Sequence, residues 1–183
     1  TYQQQSNIRL DLIEIDPDNY LLARGPSYRM TAEMIRDNAL KISGLLVKKI
    51  GGKSVYPYQP EGLWDLSDKK WKYRYQHDRG DGLYRRSLYT FWKRSSPPPT
   101  MIIFDTPNRD LCSVKRTLTS SPLQALVMLN DPQLIEASRV MAEKYLLSMH
   151  QGVEQQLPIV FRELTGRRIT AEELGTIEKF YGE

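Results

Sequence analysis

Apolar residues recur at helical spacing towards both ends of the chain and lose that period in its middle. From Thr31 to about Val47, Ile35, Ala39, Ile42 and Leu46 fall three or four positions apart, which puts them on one face of an amphipathic helix. Gly51-Gly52 is expected to end that helix. Ser121-Pro122 reads as an N-cap followed by a first-turn proline, and Asp131-Pro132 repeats the signal, so a short helix precedes one running to about His150. The longer helix carries Leu134, Ser138, Met141, Tyr145 and Met149 on one stripe, with Ile135, Ala142 and Leu146 beside it. A helix from about Val153 to Leu164 should bury Leu157, Val160, Phe161 and Leu164, with Gly166 closing it. Thr170 and Glu173 form a capping box for a last helix, whose Leu174, Ile177 and Phe180 complete a helical lobe.

The middle reads differently. Leu83 to Trp92 is expected to be a strand or extended segment, Ser96 to Pro99 a stiff polyproline-like connector, and Met101-Ile102-Ile103-Phe104 a short apolar strand. Within a strand Arg85 and Arg86 would point to opposite faces, one of them inward, with Asp105 the expected partner of the inward guanidinium. The fold class is therefore mainly α: a helical domain with a small extended or β element and a long irregular aromatic-rich segment. One domain over 1–183 is expected, with helical entry at 1–55, an aromatic and basic segment at 56–120 and a helical lobe at 121–183.

Ten of the eighteen aromatics lie between Tyr56 and Trp92, including all three tryptophans. Two readings stand. Aromatic burial could pin an irregular segment to the helices, or the rings could form a stacking platform for sugars or bases, with Lys69, Lys70, Lys72, Arg74 and Arg79 holding phosphate or sulfate. Trp71, Tyr73 and Tyr75 alternate in the basic stretch and are the best candidates for exposed stacking rings.

Charge sharpens this division. Residues 1–130 carry twenty Lys or Arg against thirteen Asp or Glu, and residues 131–183 carry six against nine. The basic part could attract an anionic partner, but a net charge of +4 is modest and solvated basic surface explains it as well. Hydrophobic residues at 40% argue against disorder. A single cysteine, Cys112, allows no internal disulfide and no multi-cysteine zinc site. With His77 and His150 the only imidazoles, no cofactor and no metal centre is expected of this chain. No apolar run approaches the length of a membrane span.

Polar groups concentrate at Asp105-Thr106-Pro107-Asn108-Arg109-Asp110. Asp105 and Asp110 are weak catalytic candidates, able in principle to serve as acid and base in glycoside cleavage. The simpler reading is a turn in which Asp105 and Asn108 bond the backbone and Arg109 bridges to a helix end. Asp16-Pro17-Asp18-Asn19 offers calcium-type oxygens but lacks the glycine and glutamate of an EF-hand loop, and reads as a helix-start turn. The binding candidates are Trp71, Tyr73, Arg85, Arg86, Trp92, Asn108 and Arg109.

Several blocks carry a family resemblance. Tyr84 to Tyr89 followed by Phe91-Trp92-Lys93-Arg94 and a proline run comes first, then Phe104-Asp105 with Pro107-Asn108-Arg109. Ser121 to Leu126 and Leu129-Asn130-Asp131-Pro132 follow. With Asp16 to Asn19, Ala32 to Asp37, Ser43-Gly44-Leu45 and Thr1-Tyr2, they make the chain resemble the planctomycete-type family called domain of unknown function 1553. Tyr20 stands where that family usually has Arg, and Thr119-Ser120-Ser121-Pro122 replaces its usual Thr-Asn-Thr-Pro. The resemblance implies the C-terminal part of a large secreted protein, often associated with haem-c-like domains, in the periplasm or outside the cell. Thr1-Tyr2 resembles a point inside the family domain, so a fragment is expected.

Three roles fit. The first is a non-catalytic interaction or scaffolding module of a larger exported bacterial protein, its partners being other domains of that protein or another protein. The second is carbohydrate binding or cleavage, in a site shared with a preceding portion. Nucleic-acid binding is the third, with only basic charge and aromatics behind it. Buried Arg85 and Asp105 would favour the first, an open cleft joining Trp71, Asp105 and Arg109 the second, and a continuous positive stripe the third.

Overall fold

The computed structural model describes residue 6 and residues 9–25, 28–64, 74–148 and 153–182. The protein is mainly helical, as the apolar periodicity predicts. It divides into two compact units, 1–30 and 31–183.

The first unit holds helix α1, Leu10–Ile15. Asp16, expected from sequence to start a helix, follows one instead. Its buried carboxylate accepts from the Tyr20 and Leu21 amides at 2.9 and 2.7 Å, and Arg24 donates to the Asp16 and Leu12 carbonyls at 2.9 and 3.3 Å. Asp16, with Asn19 bonded to the Arg24 backbone, is thus used in closing its own turn.

The second unit contains α2 (Ala32–Ser43), α3 (Pro99–Ile103), α4 (Pro122–Asn130), α5 (Pro132–Ser148), α6 (Val153–Thr165) and α7 (Ala171–Gly182). Helix α2 is capped by the Thr31 hydroxyl and stops at Gly44, whose φ of 87° needs the left-handed backbone, seven residues before the Gly51-Gly52 stop expected from sequence. It packs on α5, α3 and the turn at Ser87–Tyr89. Leu40 is fully buried, and Ile42 meets Met141 and Tyr145 of α5, with Val160 of α6 beside them. A second cluster joins Ala32, Met101 and Phe104, against which Ile35, Trp92 and Val127 pack.

Two expected strands are absent from the described residues. Met101 to Phe104 lies in α3 and its C-cap. A run of four apolar residues does not distinguish strand from helix, and Pro98-Pro99 supplies the preset φ that opens a helical turn. Leu83 to Trp92 forms two 3-10 turns, Gly80–Tyr84 and Ser87–Tyr89, touched by isolated parallel bridges from Val47 to Arg85 and from Val55 to Thr90. The cause lies in α2. Arg36 takes the carbonyls of Leu83 and Arg85, each at 2.8 Å, and Asp37 takes the Ser87 amide at 2.7 Å, so side chains satisfy backbone groups that a strand ladder would otherwise pair.

The predicted starts at Pro122, Pro132 and Ala171 hold. The Ser121 amide donates to Gln124 at 3.3 Å, and Asp131 Oδ1 accepts from the Gln133 and Leu134 amides at 2.9 and 3.2 Å. Thr170 and Glu173 exchange both bonds of the predicted capping box, and Gly166 takes a φ of 73°. The predicted apolar stripes fare less well. Leu134, Met141 and Tyr145 are buried and Leu157, Val160, Phe161, Leu174 and Ile177 half-buried, while Ile135, Leu146, Leu164 and Phe180 of the predicted stripes are exposed.

Candidate functional site

The candidate binding and catalytic residues that the structure describes all belong to the second unit. Arg85 is the inward arginine and Arg86 the exposed one. The expected Arg85–Asp105 pair does not form. Arg85 donates instead to the carbonyls of Lys53, Lys49 and Gly51 at 2.9, 3.0 and 2.5 Å, and its guanidinium lies 3.8 Å from the centroid of the Tyr89 ring. Three carbonyls converge on it because the loop after α2 curls through Gly51 and Gly52, both at positive φ. This is an anchoring site for a loop.

Asp105 serves a different turn. At half burial and a φ of 62°, its carboxylate accepts from the Thr119 amide at 2.8 Å and the Thr119 hydroxyl at 2.9 Å. Gln124, itself buried, donates to the Ile103 carbonyl at 2.9 Å and to the Thr119 hydroxyl at 3.2 Å. Asp105 thus ties the end of α3 to the segment that enters α4. Asp110 is exposed on the segment between them.

Of the other candidates, Trp92, Asn108 and Arg109 do come together. Arg109 lies 4.4 Å from the Trp92 centroid, and the indole N–H donates to the Asn108 carbonyl at 3.3 Å. The ring also packs on the Ala32–Met101–Phe104 cluster, so a sugar stacking on Trp92 would have to displace the guanidinium. Trp71 and Tyr73 lie outside the described residues, as do Lys69, Lys70, Lys72 and His150. Tyr75 is not the exposed stacking ring anticipated: its hydroxyl donates to the Pro57 carbonyl, and it meets the buried Trp64 edge-on at 4.9 Å. Tyr56 stacks on Phe91 at 5.0 Å in the same knot. For these rings aromatic burial is the observed use.

Sequence reasoning missed Arg36. Its donors reach Gln133 at 2.5 Å, Ser87 at 3.2 Å and the two carbonyls already described, with the Asp37 carboxylate 3.7 Å away. Burial pushes this guanidinium down to about 10, against the raising influence of Asp37 and Asp131. An arginine on a helix face next to aspartate gives no sequence cue that its partners are carbonyls some fifty positions away.

Helix α4 breaks the usual rule of burial. It has no charged residue and is apolar all round apart from Gln124 and Asn130, yet Gln124 is its buried residue. Leu126 and Leu129 are 57% and 75% exposed, and Leu123 and Met128 are exposed with them. Leu111 and Leu118, in the segment leading to α4, are exposed as well. A helix without a polar face is ordinarily enclosed on all sides.

Among the described residues no group of three or more His, Cys, Asp or Glu is placed to hold a metal, and no helix is long and apolar enough to cross a membrane. The family model PSD1, protein of unknown function (DUF1553), matches residues 1–181. No curated protein and no solved structure matches the chain.

Proposed function

We propose that this chain, which belongs to the PSD1 family of proteins of unknown function (DUF1553), is a non-catalytic interaction module whose docking element is α4. The observation that carries the reading is the outward leucine face of a helix with no polar side. Apolar patches of this kind mark places where another surface settles, and permanent interfaces are the more hydrophobic ones. The partner is therefore a lasting one, another domain of the same parent protein. The polar candidates support the same reading, since Asp105, Gln124 and Arg85 each hold backbone in place. The family resemblance supports placing the parent protein in the periplasm or outside the cell. The carbohydrate reading loses the support of Trp92, whose ring already meets Arg109.

The test is the paired variant Leu126→Glu/Leu129→Glu. The reading predicts that the isolated domain keeps its thermal midpoint while, in the intact parent protein, the variant loses the slow amide hydrogen exchange of α4 and opens a protease-sensitive junction between the domains. Unchanged α4 protection and protease resistance in the folded intact variant would overturn the docking role.

A further inference from the structure

A separate feature, lined by Val127 of α4 and not by its solvent-facing leucines, goes beyond the docking role. A cleft of about 380 Å³ lies between α2, α3, the junction of α4 with α5, and the 57–60 segment. Its base includes Ile35, Met101, Phe104 and Val127, and five prolines, Pro57, Pro60, Pro98, Pro99 and Pro132, contribute to its walls. We propose that this cleft is a binding site for a neutral, mainly apolar small molecule bearing one hydrogen-bond acceptor.

Size comes first: the volume falls in the range of clefts that enclose most of a small ligand. Charge is the second argument. Among the described residues two ionic groups line the cleft, and both are spent on the protein. Arg36 is committed to Gln133, Ser87 and the carbonyls of Leu83 and Arg85. Asp131 caps α5 with one oxygen and accepts from the Thr100 hydroxyl at 2.6 Å with the other. An anion or cation entering the cleft would lose its hydration and find no free countercharge. Two of the neutral polar side chains are spent in the same way: Gln133 donates to the Leu83 carbonyl at 2.8 Å, and Asn130 to the Leu126 carbonyl at 2.8 Å.

Proline is the third argument. It has no backbone N–H, so a wall rich in it offers water few donors, and its fixed φ means that the wall loses little freedom when a ligand arrives. Water in such a cleft is poorly held and easily displaced. Gln59 calls for the acceptor. Gln59 lines the cleft, and its side-chain nitrogen is buried without a hydrogen-bond partner. Leaving such a donor unmade costs stability, and a ligand oxygen reached by rotation of the Gln59 side chain would relieve it.

The probe is prodan, a neutral propionyl-naphthalene dye whose emission shifts to the blue in apolar surroundings. Titration of the folded chain is expected to give saturable binding of one dye per chain, with blue-shifted emission. The anion anilinonaphthalene sulfonate should bind at least about tenfold more weakly, because the cleft offers no free cation. Val127→Phe and Ile35→Phe, each checked for folding by circular dichroism, add bulk at two lining positions on different helices and should weaken prodan by about tenfold or more. Gln59→Leu should weaken it by about threefold or more. No saturable binding, a preference for the anion, or full affinity in a folded filling variant would overturn the site. Full affinity in Gln59→Leu would overturn the requirement for an acceptor.

Discussion

Replacing Arg85 by Met separates two kinds of buried arginine. Had Asp105 been its partner, removal would strand a carboxylate and cost about 3–5 kcal/mol. The observed partners are three carbonyls, of Lys49, Gly51 and Lys53, in a loop whose residues are exposed, so water can reach them once the guanidinium is gone. A hydrogen bond to a charged donor contributes about 1.5–3 kcal/mol, but rehydration returns most of that for an exposed loop, leaving about 1–2 kcal/mol over the three. Loss of the contact over Tyr89 adds about 0.5–1 kcal/mol. The sum predicts a loss of about 1.5–3 kcal/mol in urea unfolding with an unchanged denaturant slope. A local sign should accompany it: faster tryptic cleavage at Lys48, Lys49 and Lys53, in the loop that Arg85 holds. Arg85→Lys should recover less than half of the loss, since an ammonium cannot span three carbonyls as a planar fork does. A loss above about 4 kcal/mol would mean that a buried charge had been stranded after all, and one below about 1 kcal/mol that the three bonds are not formed.

Arg36→Met should cost more, about 3–5 kcal/mol by urea unfolding, because the Gln133 side-chain oxygen and the Arg85 carbonyl that lose its donors belong to buried residues. Asp105→Ala should cost about 2–3 kcal/mol by the same assay, through the lost Thr119 bonds and an alanine held at positive φ; a fully stable variant would remove the tie between α3 and α4. Leu126→Glu alone should change stability by no more than about 0.5 kcal/mol in thermal unfolding, since the site is exposed. The bonds from Arg167, with those from Thr170, hold the Glu173 carboxyl down to about 2. A depressed carboxyl contributes stability that is present above the ordinary glutamate value and is lost as pH falls towards about 2, so α7 should fray across that window. NMR titration of Glu173 checks the value, and Glu173→Gln should remove that part of the acid dependence.

Helix starts were legible in the sequence because their signals are local. Ser121-Pro122, Asp131-Pro132 and Thr170 with Glu173 each satisfy amides within four residues, and the structure uses all three. Helix ends were less so: Gly44 outcompeted Gly51-Gly52 because one glycine at the right turn suffices. The strands expected at Leu83 to Trp92 and Met101 to Phe104 failed for a nonlocal reason and a local one. Arg36 and Asp37, far away in sequence, took the backbone groups of the first, and the second was too short for its period to be read. The same distinction applies to the sites. Trp92, Asn108 and Arg109 were singled out from composition and do meet, whereas Arg85 found carbonyls in place of Asp105. Helix α4 was readable as a helix, but its apolar outer face could be recognised only from what surrounds it, since burial is not a property of nine residues alone.

Docking through α4 is tested most directly by a photo-activated cross-linker placed at Leu126, with the exposed Glu143 of α5 as control, in cells that produce the intact protein. The account predicts cross-links from position 126 to one defined segment of another domain of the parent protein, and none to that segment from position 143. Equal labelling from both positions, or no cross-link from 126 in the folded and correctly localised protein, would contradict it.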